Sequence, residues 1–283
     1  MNNILVTGAG GFIGTHLLDA LNRRNDNYFA TTRKNGNISL TETWKNFPSC
    51  STVIHIAGKS FVPESWSNVH DYIEANLQST ISALEYCKER NARLIFLSSY
   101  MYGNPDFLPI PETAQLKVQN PYAITKKWAE EACEFYSNNF NIPITIFRPF
   151  NVYGPGQPSN FLLPHIICQL KKGKEIRVKD LSPKRDYIFV KDLIHAIIMS
   201  IDKNLGFEVF NIGSGKSYSV GEIISFIQQI NNSNLPVFSE NTIRKGEILD
   251  TIADISKATE LLNWSPSWNI YTGLKETIES INS

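Results

Sequence analysis

Thr7-Gly8-Ala9-Gly10-Gly11-Phe12-Ile13-Gly14 follows the apolar run Ile4-Leu5-Val6 and opens a segment with helical patterning from His16 to about Leu21. Strand, tight turn and helix in that order form the unit that begins a dinucleotide-binding sheet. Glycines at 8, 11 and 14 leave the backbone bare where it turns, where it approaches a pyrophosphate, and where the helix packs on the strand. The helix then aims its unsatisfied N–H groups at the phosphates. Here the glycines recur every third residue, wider than the usual Gly-x-Gly-x-x-Gly start, so the motif is a variant. A glycine-rich turn without a ligand is the competing reading of the motif alone.

Beyond the first helix, Tyr28 to Thr32 reads as a second strand, and Arg33-Lys34-Asn35-Gly36 follows where an adenosine ribose would lie. A carboxylate there bonds the ribose 2′-hydroxyl of NAD, whereas an Arg suits the 2′-phosphate of NADP. Thr32 and Arg33 stand at this strand end, so NADP(H) is the expected preference, with NAD(H) possible and a solvated loop charge the bland reading of Arg33. Asn37 to Leu40 is a short third strand candidate, and Thr52-Val53-Ile54-His55-Ile56-Ala57-Gly58 a stronger, buried one. Its small last residues, Ala57 and Gly58, would let a cofactor approach the backbone. His55 lies inside the apolar run and reads as a core histidine rather than a base. Helical spacing through Ile73, Leu77, Ile81, Leu84 and Cys87 then leads to the strand Arg93–Leu97. This alternation predicts an α/β fold with a doubly wound, Rossmann-type parallel sheet and right-handed crossovers.

The 283 residues carry 27 Lys plus Arg against 27 Asp plus Glu, so no basic field argues for nucleic acid or an anionic membrane. A small molecule is the expected partner. Cys50, Cys87, Cys133 and Cys168 are far apart and form no Cys-x-x-Cys pair, which suggests neither a metal site nor a disulfide scaffold. No apolar run reaches the ~18 residues of a membrane span and Met1-Asn2-Asn3 lacks a basic leader, so the expected location is cytoplasmic.

A second signature follows the strand that ends in Ser98-Ser99-Tyr100-Met101-Tyr102-Gly103. After a proline-rich loop, Pro121 is placed to start a helix that carries Tyr122 and Lys126 four residues apart on one face. A phenol with a pKa of ~10 needs a neighbouring cation to exchange protons at neutral pH, and Lys126 is that cation. In the second half, Arg177, Arg185 and Arg244 lie near candidate strand ends, where guanidinium forks suit a diphosphate.

Gly8-x-x-Gly11-x-x-Gly14, Ser98 and Tyr122-x-x-x-Lys126, in this order, resemble the extended short-chain dehydrogenase/reductase family. Arg148-Pro149-Phe150-Asn151, Arg185-Asp186-Tyr187-Ile188-Phe189-Val190 and Leu262-Asn263-Trp264-Ser265-Pro266 extend the resemblance to its nucleotide-sugar epimerases, dehydratases and reductases. The resemblance implies a catalytic set of Ser98, Tyr122 and Lys126, with Ser99 the alternative hydroxyl. It implies cofactor contacts from Gly8, Gly11, Phe12, Ile13, Gly14, Thr32, Arg33, Leu40, Ala57, Gly58, Tyr122, Lys126 and Phe150. A nucleoside diphosphate sugar would be held by Ser99, Asn151, Asn160, Phe161, Arg177, Arg185, Arg244 and Glu247. A dinucleotide-binding domain is expected at 1–150 plus about 186–205, interleaved with a substrate-binding domain at 151–185 and 206–283. Dehydrating members carry an Asp-Glu pair where Ser99 and Tyr100 stand, and members that also epimerise carbons 3 and 5 place a Cys soon after the serines, where none occurs here. The expected reaction is reduction of a 4-keto-(6-deoxy)hexose on a nucleoside diphosphate. A carbon 4 epimerase and a catalytically silent cofactor-binding protein are the alternatives. The resemblance also implies a homodimer, pairing the helices near Tyr72–Arg90 and Tyr122–Tyr136.

Overall fold

The computed structural model describes residues 3–242 and 247–282. Ile4-Leu5-Val6 forms the centre of β1 (Asn3–Thr7), and the glycine turn leads directly into α1 (Phe12–Arg24). This helix is longer than its apolar pattern, because extended Gly11 caps its start and Asn25, in the left-handed conformation at φ 56°, ends it. After β2 (Asn27–Ala30), Thr32 leaves the strand to cap a 3₁₀ turn at Arg33–Asn35. The expected strand at Asn37–Leu40 is absent. Asn37 Oδ1 accepts from both Ser39 N and Ser39 Oγ, folding the segment into a turn before α2 (Thr41–Trp44).

β3 (Thr52–His55) is followed by α3 (Val62–Ser65), and then α4 (Val69–Tyr72) continues through a π-helical turn, Ile73–Gln78, into α5 (Ser79–Arg90). Next come β4 (Arg93–Leu97), α6 (Pro121–Phe140) and β5 (Ile144–Pro149). The second half holds β6 (Asn151–Tyr153), α7 (Leu162–Lys172), β7 (Ile176–Val178), β8 (Lys184–Phe189), α8 (Val190–Ile201) and β9 (Phe207–Ile212). It ends with β10 (Ser217–Ser219), α9 (Val220–Ile230), β11 (Val237–Ser239) and α10 (Ile270–Asn282). Ser219 and Glu222 form the expected capping box on α9.

Six parallel strands pair in the order β2-β1-β3-β4-β5-β9, the doubly wound sheet that the sequence predicts. Strand alternation divides its core. Ile4, Val6, Ile54 and Ile95 pack on one face with residues of α1 and α8, whereas Leu5, Val53, Leu94 and Phe96 pack on the other with α5 and α6. Each such side chain contributes roughly 1.5–3 kcal/mol on burial, so both faces hold their helices firmly.

A mixed sheet, β10-β8-β6, and a parallel pair, β11-β7, build the smaller region with α7, α9 and α10. The boundaries differ from those expected in two places. Residues 207–212 fall in the stretch assigned to the substrate side, yet β9 pairs with β5 as the sixth strand of the large sheet. Residues 186–189 are expected on the dinucleotide side, yet β8 is the middle strand of the small mixed sheet. Buried Asp186 joins the two regions, accepting from Ser214 N at 2.7 Å, Gly215 N at 3.0 Å and Ala253 N at 3.0 Å. The four cysteines are free, three of them buried. Among the described residues, no helix is long and apolar enough to cross a membrane.

Candidate active site

Strand order reverses between β1 and β3, and ligands of such sheets sit outside the carboxyl ends at that point. Gly8 lies there with φ 73°, and a Cβ on it would meet Ala57 N at 2.7 Å. A Cβ on Gly14 would lie 2.3 Å from Gly8 O, so the helix seats against the turn only as glycine. The result is a backbone cradle facing an open cleft of about 3240 Å³, ample for a dinucleotide and a second nucleotide together.

The cleft gathers nearly all the expected residues. Gly8, Gly11, Phe12, Ile13 and Gly14 line it from the turn, Thr32 and Arg33 from beyond β2, and Ala57 and Gly58 from beyond β3. Ser98, Ser99, Tyr122, Lys126, Phe150 and Asn151 form its middle, and Asn160, Phe161, Arg177, Arg185 and Glu247 line it from the small region. Leu40 is the exception: it is 56% exposed and takes no part in the wall, because the Asn37 turn presents Ile38 and Ser39 instead. Arg244 lies outside the described residues.

α6 places the Tyr–Lys pair. Asn120 Oδ1 accepts from Ala123 N at 2.8 Å and Pro121 opens the first turn, which sets Tyr122 at the cleft and Lys126 one turn deeper. Burial pushes the Tyr122 phenol up to about 12, against a hydrogen bond with the Ser99 side chain that favours its ionised form. The Tyr100 and Tyr72 phenols add to the upward shift. Burial also brings the Lys126 ammonium down to about 8, partly offset by Glu130. Its Nζ donates to Leu97 O at 2.8 Å and sits 4.8 Å from the Phe96 ring centroid, and it has no part in the Tyr122 shift. Ser98 Oγ and the Tyr187 hydroxyl are buried and lack a hydrogen-bond partner among the described residues, although both residues line the cleft. Such orphan groups mark where a polar ligand would be satisfied. His55 is a core residue, held by Thr7 Oγ1 at 2.7 Å and pushed down to about 3 by burial.

On the far wall, Arg185 forms an ion pair with Glu247 and donates to Ile248 O, so two residues expected to meet different parts of a ligand meet each other here. Asn151 Nδ2 donates to Asp186 O at 3.0 Å, and Phe161 packs edge-on to Phe61 across the cleft at 5.7 Å. Exposed Arg177 pairs with Glu175 and covers Phe238, and Asn160 is exposed at the rim.

Sequence reasoning missed Asn76. Its buried amide accepts from Lys59 N at 2.8 Å and donates to Thr125 Oγ1 at 3.0 Å, fixing the strand end beside Gly58 to α6. An Asn on the core-facing stripe beside Ile73 and Leu77 was the available signal.

With this geometry in view, the profile of the NAD dependent epimerase/dehydratase family matches residues 4–213. The chain belongs to that family. An uncharacterized UDP-glucose epimerase of Bacillus subtilis, YtcB, is 31% identical over 99% of this chain and 98% of its own length. UDP-glucuronate 4-epimerase of Thermodesulfobacterium geofontis is 30% identical over 98% and 95%. GDP-6-deoxy-D-mannose reductase of Pseudomonas aeruginosa is 26% identical over 99% and 97%. Among solved structures, UDP-glucose 4-epimerase of Thermotoga maritima with UDP-glucose superposes with a TM-score of 0.91 at 27% identity, covering 99% of this chain and 98% of that one. UDP-glucuronic acid 4-epimerase of Bacillus cereus, with UDP-glucuronic acid and NAD, gives 0.88 at 28%, covering 99% of both chains. RMD of Pseudomonas aeruginosa with NADPH gives 0.91 at 25%, covering 99% and 98%.

The family supplies an NAD(P)-dependent enzyme acting on a nucleotide-linked hexose, and the glycine cradle and orphan hydroxyls fit a dinucleotide and a polar ligand. The expected preference for NADP(H) is overturned. The Bacillus cereus enzyme and both MoeE5 complexes carry NAD, against one NADPH complex. Thr32 Oγ1 accepts from Lys34 N and Thr32 N donates to Asn35 Oδ1, closing a 3₁₀ turn on which Arg33 is exposed at the cleft.

Proposed function

We propose that the protein interconverts UDP-linked hexoses at carbon 4 with NAD retained. The reading is carried by relatives at 30% identity or above that match almost end to end and are UDP-sugar epimerases by name. NAD, which the turn of Gly8, Gly11 and Gly14 would hold, would supply the hydride acceptor and donor for carbon 4. The chain's own groups handle the oxygen on that carbon. Tyr122 takes and returns its proton, and Ser99 or the unpartnered Ser98 orients it. Burial holds the phenol near 12, as a donor, with the Ser99 hydrogen bond favouring its ionised form, and Lys126, held by Leu97 O, stands one turn deeper on the same helix. Arg185 would exchange its Glu247 partner for the diphosphate.

Reduction of a 4-keto-6-deoxyhexose is the second reading, favoured by the 26% identity to a GDP-6-deoxy-D-mannose reductase over almost the whole chain and by Thr32 where a ribose-binding carboxylate usually stands. The test is to denature the purified protein, quantify released NAD, and incubate intact protein with UDP-glucose and UDP-glucuronate without added cofactor. Near-stoichiometric NAD and formation of a carbon 4 epimer support epimerisation. Oxidation of added NADH or NADPH by a nucleotide-linked 4-keto-6-deoxyhexose, with no interconversion, refutes it.

A further inference from the structure

Tyr100 stands in the middle of the cleft wall, two residues beyond Ser98 and next to Ser99. Its ring stacks on Phe150 with centroids 4.8 Å apart and planes 12° from parallel. Its hydroxyl donates to Asn151 Oδ1 at 3.2 Å, and Asn151 in turn holds Asp186 O through Nδ2. Stacking fixes the ring plane and the hydrogen bond fixes the rotation about it, so the side chain is held in one position from both ends. Tyr100 directly follows Ser98 and Ser99 in the chain, and all three line the same cleft as Tyr122. A hexose whose carbon 4 oxygen is held by Tyr122 and Ser98 or Ser99 would have the Tyr100 ring beside those serines as part of its surroundings.

We propose that Tyr100, locked between Phe150 and Asn151, is a specificity-determining wall of the sugar pocket that limits the size of the substituents a bound hexose carries. The inference rests on the reading that the cleft takes a nucleotide-linked hexose, but not on whether the reaction is epimerisation or reduction. A rigid aromatic wall discriminates by clash, since moving Tyr100 aside means giving up both the stacking and the Asn151 bond.

The test measures binding to the NAD-loaded protein by calorimetry. UDP, GDP and dTDP are each compared with their hexose conjugates, and the bound nucleotide's plain hexose is then compared with its 2-acetamido and 6-carboxylate counterparts. For Tyr100→Ser, the affinity for at least one enlarged sugar relative to the plain hexose should rise tenfold or more, while the bare nucleotide binds within about twofold of wild type. Tyr100→Phe keeps the ring and its stacking on Phe150 and loses only the Asn151 bond, so its ratios should stay closer to wild type than those of Tyr100→Ser. Ratios unchanged in Tyr100→Ser overturn the proposal, and so does a Tyr100→Phe protein that behaves like Tyr100→Ser, because the hydroxyl alone would then carry selectivity. If a conjugate binds no better than its bare nucleotide in all three series, the cleft does not take a nucleotide-linked hexose. That outcome overturns the underlying functional reading and the wall together, whereas unchanged ratios among tightly bound conjugates overturn the wall alone.

Discussion

Burial moves Tyr122 and Lys126 in opposite directions, the phenol up to about 12 and the ammonium down to about 8, so each group favours its uncharged form. Tyr122→Phe should lower turnover by a factor on the order of a hundred or more while leaving NAD affinity nearly unchanged, because only the proton-transferring oxygen is lost. Near-normal steady-state turnover would remove Tyr122 from the mechanism. Lys126 carries a stability cost. An unfolded Lys keeps its proton to its ordinary 10.5, the folded Lys126 only to about 8, so the folded state binds fewer protons between those values and stability rises with pH across that window. Lys126→Met should therefore abolish activity yet stabilise the fold at pH 7, by ~3 kcal/mol at most, and flatten the rise between pH 8 and 10.5. Urea unfolding at pH 7 and pH 9.5 checks both signs; a destabilised Lys126→Met at pH 7 would show that the Leu97 O contact outweighs desolvation. The Tyr–Lys spacing was legible because four residues along a helix is a local rule. Asn76 and the Tyr100 wall were not, because their partners, Thr125, Phe150 and Asn151, come from remote segments.

The β1–turn–α1 unit depends on close approach of backbone to backbone. Gly14→Ala sets a methyl 2.3 Å from Gly8 O, so helix and turn must separate. The expected cost is roughly 1–3 kcal/mol of stability, with NAD affinity reduced at least tenfold. Thermal unfolding and NAD titration of the same protein report both, and unchanged NAD binding would mean that the cradle is not the phosphate site. Elements with local punctuation were readable in advance: the glycine turn, Pro121 at the head of α6 and the Ser219–Glu222 box on α9. Asn37–Leu40 misled because a side-chain hydrogen bond of Asn37 outcompeted extended pairing. The place of β9 was hidden for another reason: six residues of pairing with β5 decide it, and pairing between strands nearly sixty residues apart leaves no mark in either segment.

For the whole molecule, α6 exposes Trp128, Phe135 and Phe140, and Val69 lies exposed at the start of the neighbouring helix. Trp128 and Phe135 are seven residues apart and share a face, an apolar stripe that suits an isologous pairing of two chains. Light scattering at micromolar concentration should give twice the 32.0 kDa chain mass, and Trp128→Glu should shift it toward one chain. A wild-type monomer would leave that stripe without this role. The doubly wound sheet followed from alternating strands and helices, whereas the cofactor preference hung on one exposed Arg33 and was reversed by comparison with solved relatives. The most direct test of the central claim is to supply UDP-glucose deuterated at carbon 4 to the purified protein without added cofactor and to follow the product by mass spectrometry and NMR. The account predicts UDP-galactose that retains the deuterium at carbon 4. Loss of the label to solvent, or no carbon 4 epimer from either UDP-glucose or the likewise labelled UDP-glucuronate with a protein that holds NAD and binds them, would contradict it.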